Sequence, residues 1–161
     1  MTLRRAYVGL GSNLDAPALQ IEHASAMLLR EPRVASLRLS RLFRSPPWGP
    51  VAQPDFVNAV AEVACSMSAP ALLRLLLDTE LRMGRARRER WGPRRIDLDL
   101  LWHEDGPFEA AGISVPHPRL AERAFVLLPW ADLAPECAIP GQGRVADLLE
   151  GVDCAGVVPL P

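Results

Sequence analysis

The period of apolar and polar positions changes several times along the chain, and each change predicts an element. "AYVGLGSNL" opens as a short apolar run and closes on Gly-Ser-Asn, the pattern of a buried strand ending in a turn. From Ala16 to Leu29 the apolar residues Leu19, Ile21, Ala24, Met27 and Leu28 recur at helical spacing, and Asp15 with Pro17 marks the helix start. Between Val34 and Phe43 the chain alternates apolar and polar, which predicts a half-buried strand. "FVNAVAEVAC" reads as another strand. "SAPALLRLLLDTELRMGR" is the most regular helix: Ser68 caps it, Leu72, Leu73, Leu76, Leu77 and Leu81 form its stripe, and Gly84 lies near its end. An Arg-rich loop over 85–95 leads into the strand "IDLDLLWH". "PHPRLAERAFVLLPWADLAP" then reads as a loop or short helix followed by an apolar segment. The tail carries weak signals, with a short helix over Val145 to Leu149.

This succession is the βαββαβ order of ferredoxin-like folds. It predicts an α+β domain: an antiparallel sheet with helices on one face, plus a less regular C-terminal extension. The 161 residues suit one such domain. "SPPWGPVAQPD" interrupts the order with four prolines in eleven residues. It is too proline-rich for regular structure and long for a loop, which marks it for function.

Composition narrows the classes. Hydrophobic residues make up 49% and charged residues 23%, ordinary for a globular protein, and the formal net charge of -1 argues against a nucleic-acid or membrane-surface partner. All 18 basic residues are arginines. A phosphate site here must therefore use guanidinium forks, backbone N–H groups or metal. Cys65, Cys137 and Cys154 lack zinc spacing and suit reduced thiols. No apolar run approaches the ~20 residues of a membrane span, and the N-terminal run is too short for a signal peptide. A soluble cytoplasmic protein is expected.

Asp97 and Asp99 carry the first chemistry. On a strand, alternate residues share a face, roughly 6–7 Å apart along the backbone. Ile96, Leu98 and Leu100 can then bury on the other face. Two carboxylates so close repel unless a cation intervenes, and hard oxygen ligands suit Mg²⁺. The plainer alternative is a solvated strand face. Arg82, Arg85, Arg87, Arg88, Arg90, Arg94 and Arg95 cluster just upstream. Guanidinium forks beside an acid pair are the parts of phosphoryl transfer, although a solvated or RNA-binding loop has the same composition. Taken alone, Glu80 reads as an exposed helix residue, His117 as structural, and Asn58 as a donor–acceptor pair for a flat heterocycle. "GLGSNL" lacks the phosphate-loop and dinucleotide fingerprints.

Together the stretches "YVGLGSNL", "SPPWGPVAQPDFVNAV", "RWGPRRIDLDLL" and "VPHPRLAERAFVLLPW", in this order over residues 5–135, resemble the 6-hydroxymethyl-7,8-dihydropterin pyrophosphokinase family of the folate pathway. The resemblance implies transfer of a diphosphoryl group from ATP to the hydroxymethyl of a reduced pterin, with release of AMP. It implies that Asp97 and Asp99 hold two Mg²⁺ ions. Arg85, Arg87 and Arg94 would be catalytic, with Arg87 in a mobile loop. Glu80, Trp91, Arg94, Leu100, His117 and Arg123 would serve ATP. Ser45, Pro46, Pro47, Trp48, Phe56, Asn58 and Phe125 would line the pterin site, with Phe56 and Phe125 sandwiching the ring. No general base stands out, so positioning and electrostatics should dominate. The partners expected are ATP and the pterin, without nucleic acid or membrane, on a monomer. Arg88, Pro118 and Trp48 depart from some relatives, and the tail from about Gly141 matches nothing diagnostic. Two rivals are weaker. A nucleotidyltransferase would place Gly-Ser close to the acid pair, and here most of the domain separates them. An RNA-binding module would need exposed aromatics on the central strands.

Overall fold

The structure, a computed structural model, describes residues 2–47, 49–84, 95–110 and 112–161. Its elements run β1 (Arg4–Ser12), α1 (Pro17–Leu29), β2 (Val34–Leu39), β3 (Phe43–Ser45), β4 (Phe56–Cys65), α2 (Ala69–Arg82), β5 (Asp97–His103), β6 (Phe108–Ala110), β7 (Ile113–Val115), a 3-10 turn (Leu120–Glu122), α3 (Ala124–Leu133), β8 (Ala138–Ile139), β9 (Gly143–Arg144), α4 (Val145–Glu150) and β10 (Val158–Pro159). The main sheet runs β10-β3-β4-β1-β5, with β2 also beside β4, and every pairing is antiparallel. β1 and β4 are its long central pair, in register from Arg4↔Cys65 to Ser12↔Val57.

Strand alternation divides the side chains between two cores. Ala6, Val8 and Leu10 of β1, Val57, Ala59, Ala61 and Val63 of β4, and Leu98 and Leu100 of β5 face one way. They meet Ile21, Ala24 and Leu28 of α1 and Leu72, Leu73 and Leu76 of α2. Tyr7, Val60 and Leu101 face the other way, onto Leu127 and Trp130 of α3. Both α3 residues are fully buried, worth about 1.5–3 kcal/mol each.

Helices therefore cover both faces, which corrects the expectation of helices on one face. The C-terminal segment supplies the second layer: α3 lies across the sheet, and α4 packs on α3. The single strand expected from Val34 to Phe43 is broken. Ser40 takes the Val60 N–H on its hydroxyl at 2.9 Å and donates its own N–H to the Val60 carbonyl at 2.9 Å, so the ladder slips between β2 and β3. The helix start at Pro17 stands, but Ala16 occupies the N-cap with φ 59° and no capping side chain. The Asp15 carboxylate instead accepts from Arg95 at 2.8 and 3.1 Å. Ser68 caps α2 as expected, accepting from the Ala71 N–H at 3.3 Å.

A bulge in β5 decides which face each of its residues takes. Tyr7 pairs with Trp102 but Val8 with Leu100, so Leu101 is an extra residue. Leu101 and Trp102 both turn to the α3 side. Before the bulge, Leu98 and Leu100 face α1 and α2, which leaves Asp97 and Asp99 on the α3 side.

Candidate active site

A cleft of ≈ 260 Å³ opens on the α3 side of the sheet, lined by Gly9, Gly11, Ser45, Pro46, Phe56, Asn58, Asp97, Asp99, Arg119, Glu122, Arg123, Phe125 and Val126, among others. Its floor follows from register. Gly11 stands between Asn58 of β4 and Asp97 of β5, and Gly9 between Val60 and Asp99. A β-carbon on Gly11 would sit 3.1 Å from Asn58 Oδ1. The glycines thus keep the central strand bare beneath the cleft, and Gly11 has a polar residue on either flank.

At one end the side chains suit a flat polar ring. Phe56 and Phe125 come from β4 and α3, and the Asn58 amide lies between strand floor and loop. Asn58 Nδ2 donates to Ser45 Oγ at 2.6 Å in a buried setting, which orients the rest of the amide edge. Asn13 anchors the proline-rich loop behind it, donating to Gln53 Oε1 and to the Pro54 carbonyl at 2.9 Å each.

At the other end stand the acids. Asp97 and Asp99 share one face of β5 and both line the cleft. Two hard oxygen donors on adjacent same-face positions fit one or two Mg²⁺ ions whose remaining ligands come from phosphate and water. Among the described residues no third carboxylate, histidine or cysteine joins them as a ligand group. The peptide between the two acids is pinned from outside the sheet: the Leu98 N–H donates to Glu80 Oε2 at 2.7 Å. Glu80 is only 2% exposed, which corrects its reading as an exposed helix residue. It acts on the acid pair through the β5 backbone.

Facing the acids is the segment that leads into α3. Arg119 Nε pairs with Glu122 Oε2 at 2.8 Å, and Arg123 lines the same wall. His117 Nδ1 accepts the Arg119 N–H at 3.0 Å. Burial first, then the charges of Arg123 and Arg119, push the His117 imidazole below its ordinary value, which favours the neutral ring.

Of the residues expected from sequence, the cleft gathers Ser45, Pro46, Phe56, Asn58, Asp97, Asp99, Arg123 and Phe125. Pro47 is half-buried in the adjoining loop and outside the lining. Leu100 is 6% exposed in the core under α1 and α2, so its side chain does not reach this cleft. Trp48, Arg85, Arg87, Arg88, Trp91 and Arg94 lie outside the described residues. Sequence reasoning missed Gly9, Gly11, Arg119 and Glu122. Two glycines at alternate positions of one strand were the available signal for the first pair, because a bare strand face marks a close approach.

Comparison with known proteins gives this cleft its class. Residues 7–135 match the model of the 7,8-dihydro-6-hydroxymethylpterin-pyrophosphokinase (HPPK) family, and the chain is accordingly an enzyme, a transferase. Two curated relatives are 2-amino-4-hydroxy-6-hydroxymethyldihydropteridine pyrophosphokinases. The one from Synechocystis is 40% identical over 96% of this chain and 80% of its own length. The one from Pseudomonas aeruginosa is 40% identical over 99% of this chain and 98% of its own. The chain belongs to the HPPK family and is a pyrophosphokinase of folate biosynthesis. Among solved structures, an HPPK-DHPS in complex with substrates superposes with a TM-score of 0.71 at 12% identity, over 92% of this chain. The wild-type Plasmodium falciparum HPPK-DHPS gives 0.69 at 14% identity, over 93%. These two share the fold, and the chain spans 45% and 41% of their respective lengths.

Proposed function

We propose that the chain transfers the diphosphoryl group of ATP to the hydroxymethyl of 6-hydroxymethyl-7,8-dihydropterin and releases AMP. One observation carries the reading: a single cleft joins a ring-recognition end, with Phe56, Phe125 and the Ser45-oriented Asn58, to an acid pair faced by arginine. The names of the curated relatives agree with it.

In this reading Phe56 and Phe125 stack on the pterin faces, and Asn58 meets its polar edge. The hydroxymethyl oxygen gives up its proton to solvent and bonds to the β-phosphorus, the bond from that phosphorus to the oxygen bridging it to the α-phosphorus breaks, and AMP leaves with that oxygen. Asp97 and Asp99 hold the two Mg²⁺ ions. Bound there, Mg²⁺ supplies neutralisation of the triphosphate charge. Arg123, with Arg85, Arg87 and Arg94, contributes guanidinium contacts to phosphate. His117 and Trp91 serve the ATP side, and Leu100 does so through its backbone. Glu80 holds the acid strand in place. Positioning and fixed charge dominate, and no side chain is assigned as general base.

The finer architecture is read as ferredoxin-like in a single domain, which the central order of β3, β4, β1 and β5 supports. Among the described residues no helix is long and apolar enough to cross a membrane, and Cys65, Cys137 and Cys154 are free thiols. The reduced thiols fit the proposed cytoplasmic location. The test is a nucleotide chromatogram of protein, ATP and Mg²⁺ with and without the pterin. Pterin-dependent AMP without ADP is expected, and Asp97→Ala should abolish it. ADP as the product would make the reaction class wrong.

A further inference from the structure

The family match ends at residue 135, yet the chain beyond it reaches back to the segment that carries Arg119 and Arg123, two residues of the cleft wall. The β8–β9 hairpin turns through Pro140 and Gly141. The Gln142 N–H donates to the Ile139 carbonyl at 3.0 Å, and Gly141 has φ 76°. A proline followed by a positive-φ glycine inside such a bond is the pattern of a type II turn, a rigid mount for the next side chain.

That side chain is Gln142. Its Nε2 donates to the His117 carbonyl at 2.9 Å, and its Oε1 accepts the Ala121 N–H at 3.1 Å. One amide therefore ties His117 to Ala121 across Arg119, just ahead of Glu122 and Arg123. The segment's own ladder is thin, with single bonds of 3.1–3.2 Å from Leu120, Glu122 and Arg123 to carbonyls three residues back. At its other end the hairpin is tied to the acid strand: Trp102 Nε1 donates to the Ala138 carbonyl at 3.0 Å. Ile139 and Val145 bury in the α3-side core, so the hairpin is firmly seated.

We propose that this hairpin is a strut between β5 and the arginine segment, and that Gln142 is a positioning residue for the ATP side of the cleft. The inference rests on the pyrophosphokinase reading above. Gln142 touches no reacting atom. It fixes where Arg119 and Arg123 stand relative to Asp97 and Asp99. The pterin end rests on Asn58 and Ser45, which Gln142 does not contact.

The experiment compares wild type, Gln142→Ala and Gln142→Glu. Gln142→Ala should lower kcat/KM for ATP about tenfold while the pterin KM stays within about twofold. Gln142→Glu keeps an oxygen for the Ala121 N–H but sets an anion against the His117 carbonyl. It should therefore lose at least as much kcat/KM for ATP as Gln142→Ala, because an ionised carboxylate has no proton to donate. Amide hydrogen exchange reads the strut without turnover: Ala121 should lose protection in Gln142→Ala. Unchanged Ala121 protection would overturn the proposal. So would an equal loss for both substrates together with a lowered Tm, since that is a purely structural effect. A wild type that makes no AMP would sink the reaction assigned above, and the exchange result would still decide the strut.

Discussion

Gly11→Ala tests the glycine floor directly. The new β-carbon would sit 3.1 Å from Asn58 Oδ1, and no positive φ at Gly11 adds backbone strain. Ordinary contact begins near 3.4 Å, so Asn58 must retreat by a few tenths of an ångström. It is held by its 2.6 Å bond to Ser45 Oγ and by burial, so the retreat strains a fixed group. Overpacking of this kind costs about 1–3 kcal/mol, and the lower chain entropy of alanine returns about 0.5–1 kcal/mol. The net loss of stability is then about 0–2.5 kcal/mol. The functional loss should be larger and one-sided, because the displaced amide is the group assigned to the pterin edge. An expected fall of about 10–100-fold in kcat/KM for the pterin follows from sub-ångström misplacement, with the ATP KM within about twofold. The assay is AMP formation with each substrate varied in turn, beside a thermal melt. Gly9→Ala is the internal comparison. Its β-carbon would meet Leu101 side-chain carbons at 3.4–3.7 Å, ordinary contact, so its stability cost should be smaller. A Gly11→Ala enzyme with normal pterin kcat/KM would refute the reasoning.

Glu80→Ala removes the acceptor of the Leu98 N–H and leaves a cavity under the acid strand. A loss of about 2–4 kcal/mol is expected in urea unfolding, and Glu80→Gln, which retains an amide oxygen, should lose less. A Glu80→Ala protein as stable as wild type would remove the pinning role. His117 is held below its ordinary 6.5, so the folded state favours the neutral ring and the unfolded chain binds the proton first. Its stabilising contribution is complete above 6.5 and is lost as pH falls through the lowered folded value. His117→Ala should therefore flatten the acid limb of stability against pH, measured by denaturant titration. Asp132 joins α3 to the β2–β3 junction, accepting from Arg41 Nη2 at 2.8 Å and from the Arg41 N–H at 3.0 Å. Arg41 holds this carboxyl below its ordinary range. Asp132→Ala should cost about 1 kcal/mol and lower Tm, and the same loss should develop in wild type only at strongly acid pH.

The elements with a clean period were legible in the sequence. α1 and α2 present one face to the α1–α2 core, so their apolar spacing reports their geometry, while β1 and β4 bury residues in both cores and read as short apolar runs. α3 was not legible because "AFVLLPWADL" is apolar nearly all round and contains Pro129. Its surroundings are the sheet on one side and α4 on the other, which erases any stripe. The break between β2 and β3 hides for a different reason: Ser40 occupies a polar slot in the alternation, and its hydroxyl substitutes for a backbone acceptor only once β4 is beside it. Asp97 and Asp99 were legible as a same-face pair, and the resemblance placed Asn58 and both phenylalanines. Glu80 read as solvent-exposed because a glutamate on a helix ordinarily is. The unsatisfied N–H that draws it inward belongs to a strand 18 residues further on. Gln142 carried no sign beyond the Pro-Gly turn before it.

The margins of the sheet have a consequence for behaviour at high concentration. A bare strand edge offers a row of donors and acceptors on which another molecule's strand can grow. On the β5 margin, the Glu80 carboxylate already occupies the Leu98 N–H. On the opposite margin, which β2 shares, β10 covers β3, Leu160 donates to the Leu42 carbonyl, and Pro159 has no N–H to offer a newcomer. The carboxylate that steadies the acid strand thus also blunts it as a template, so that loss of Glu80 would invite self-association through the same strand that carries Asp97 and Asp99.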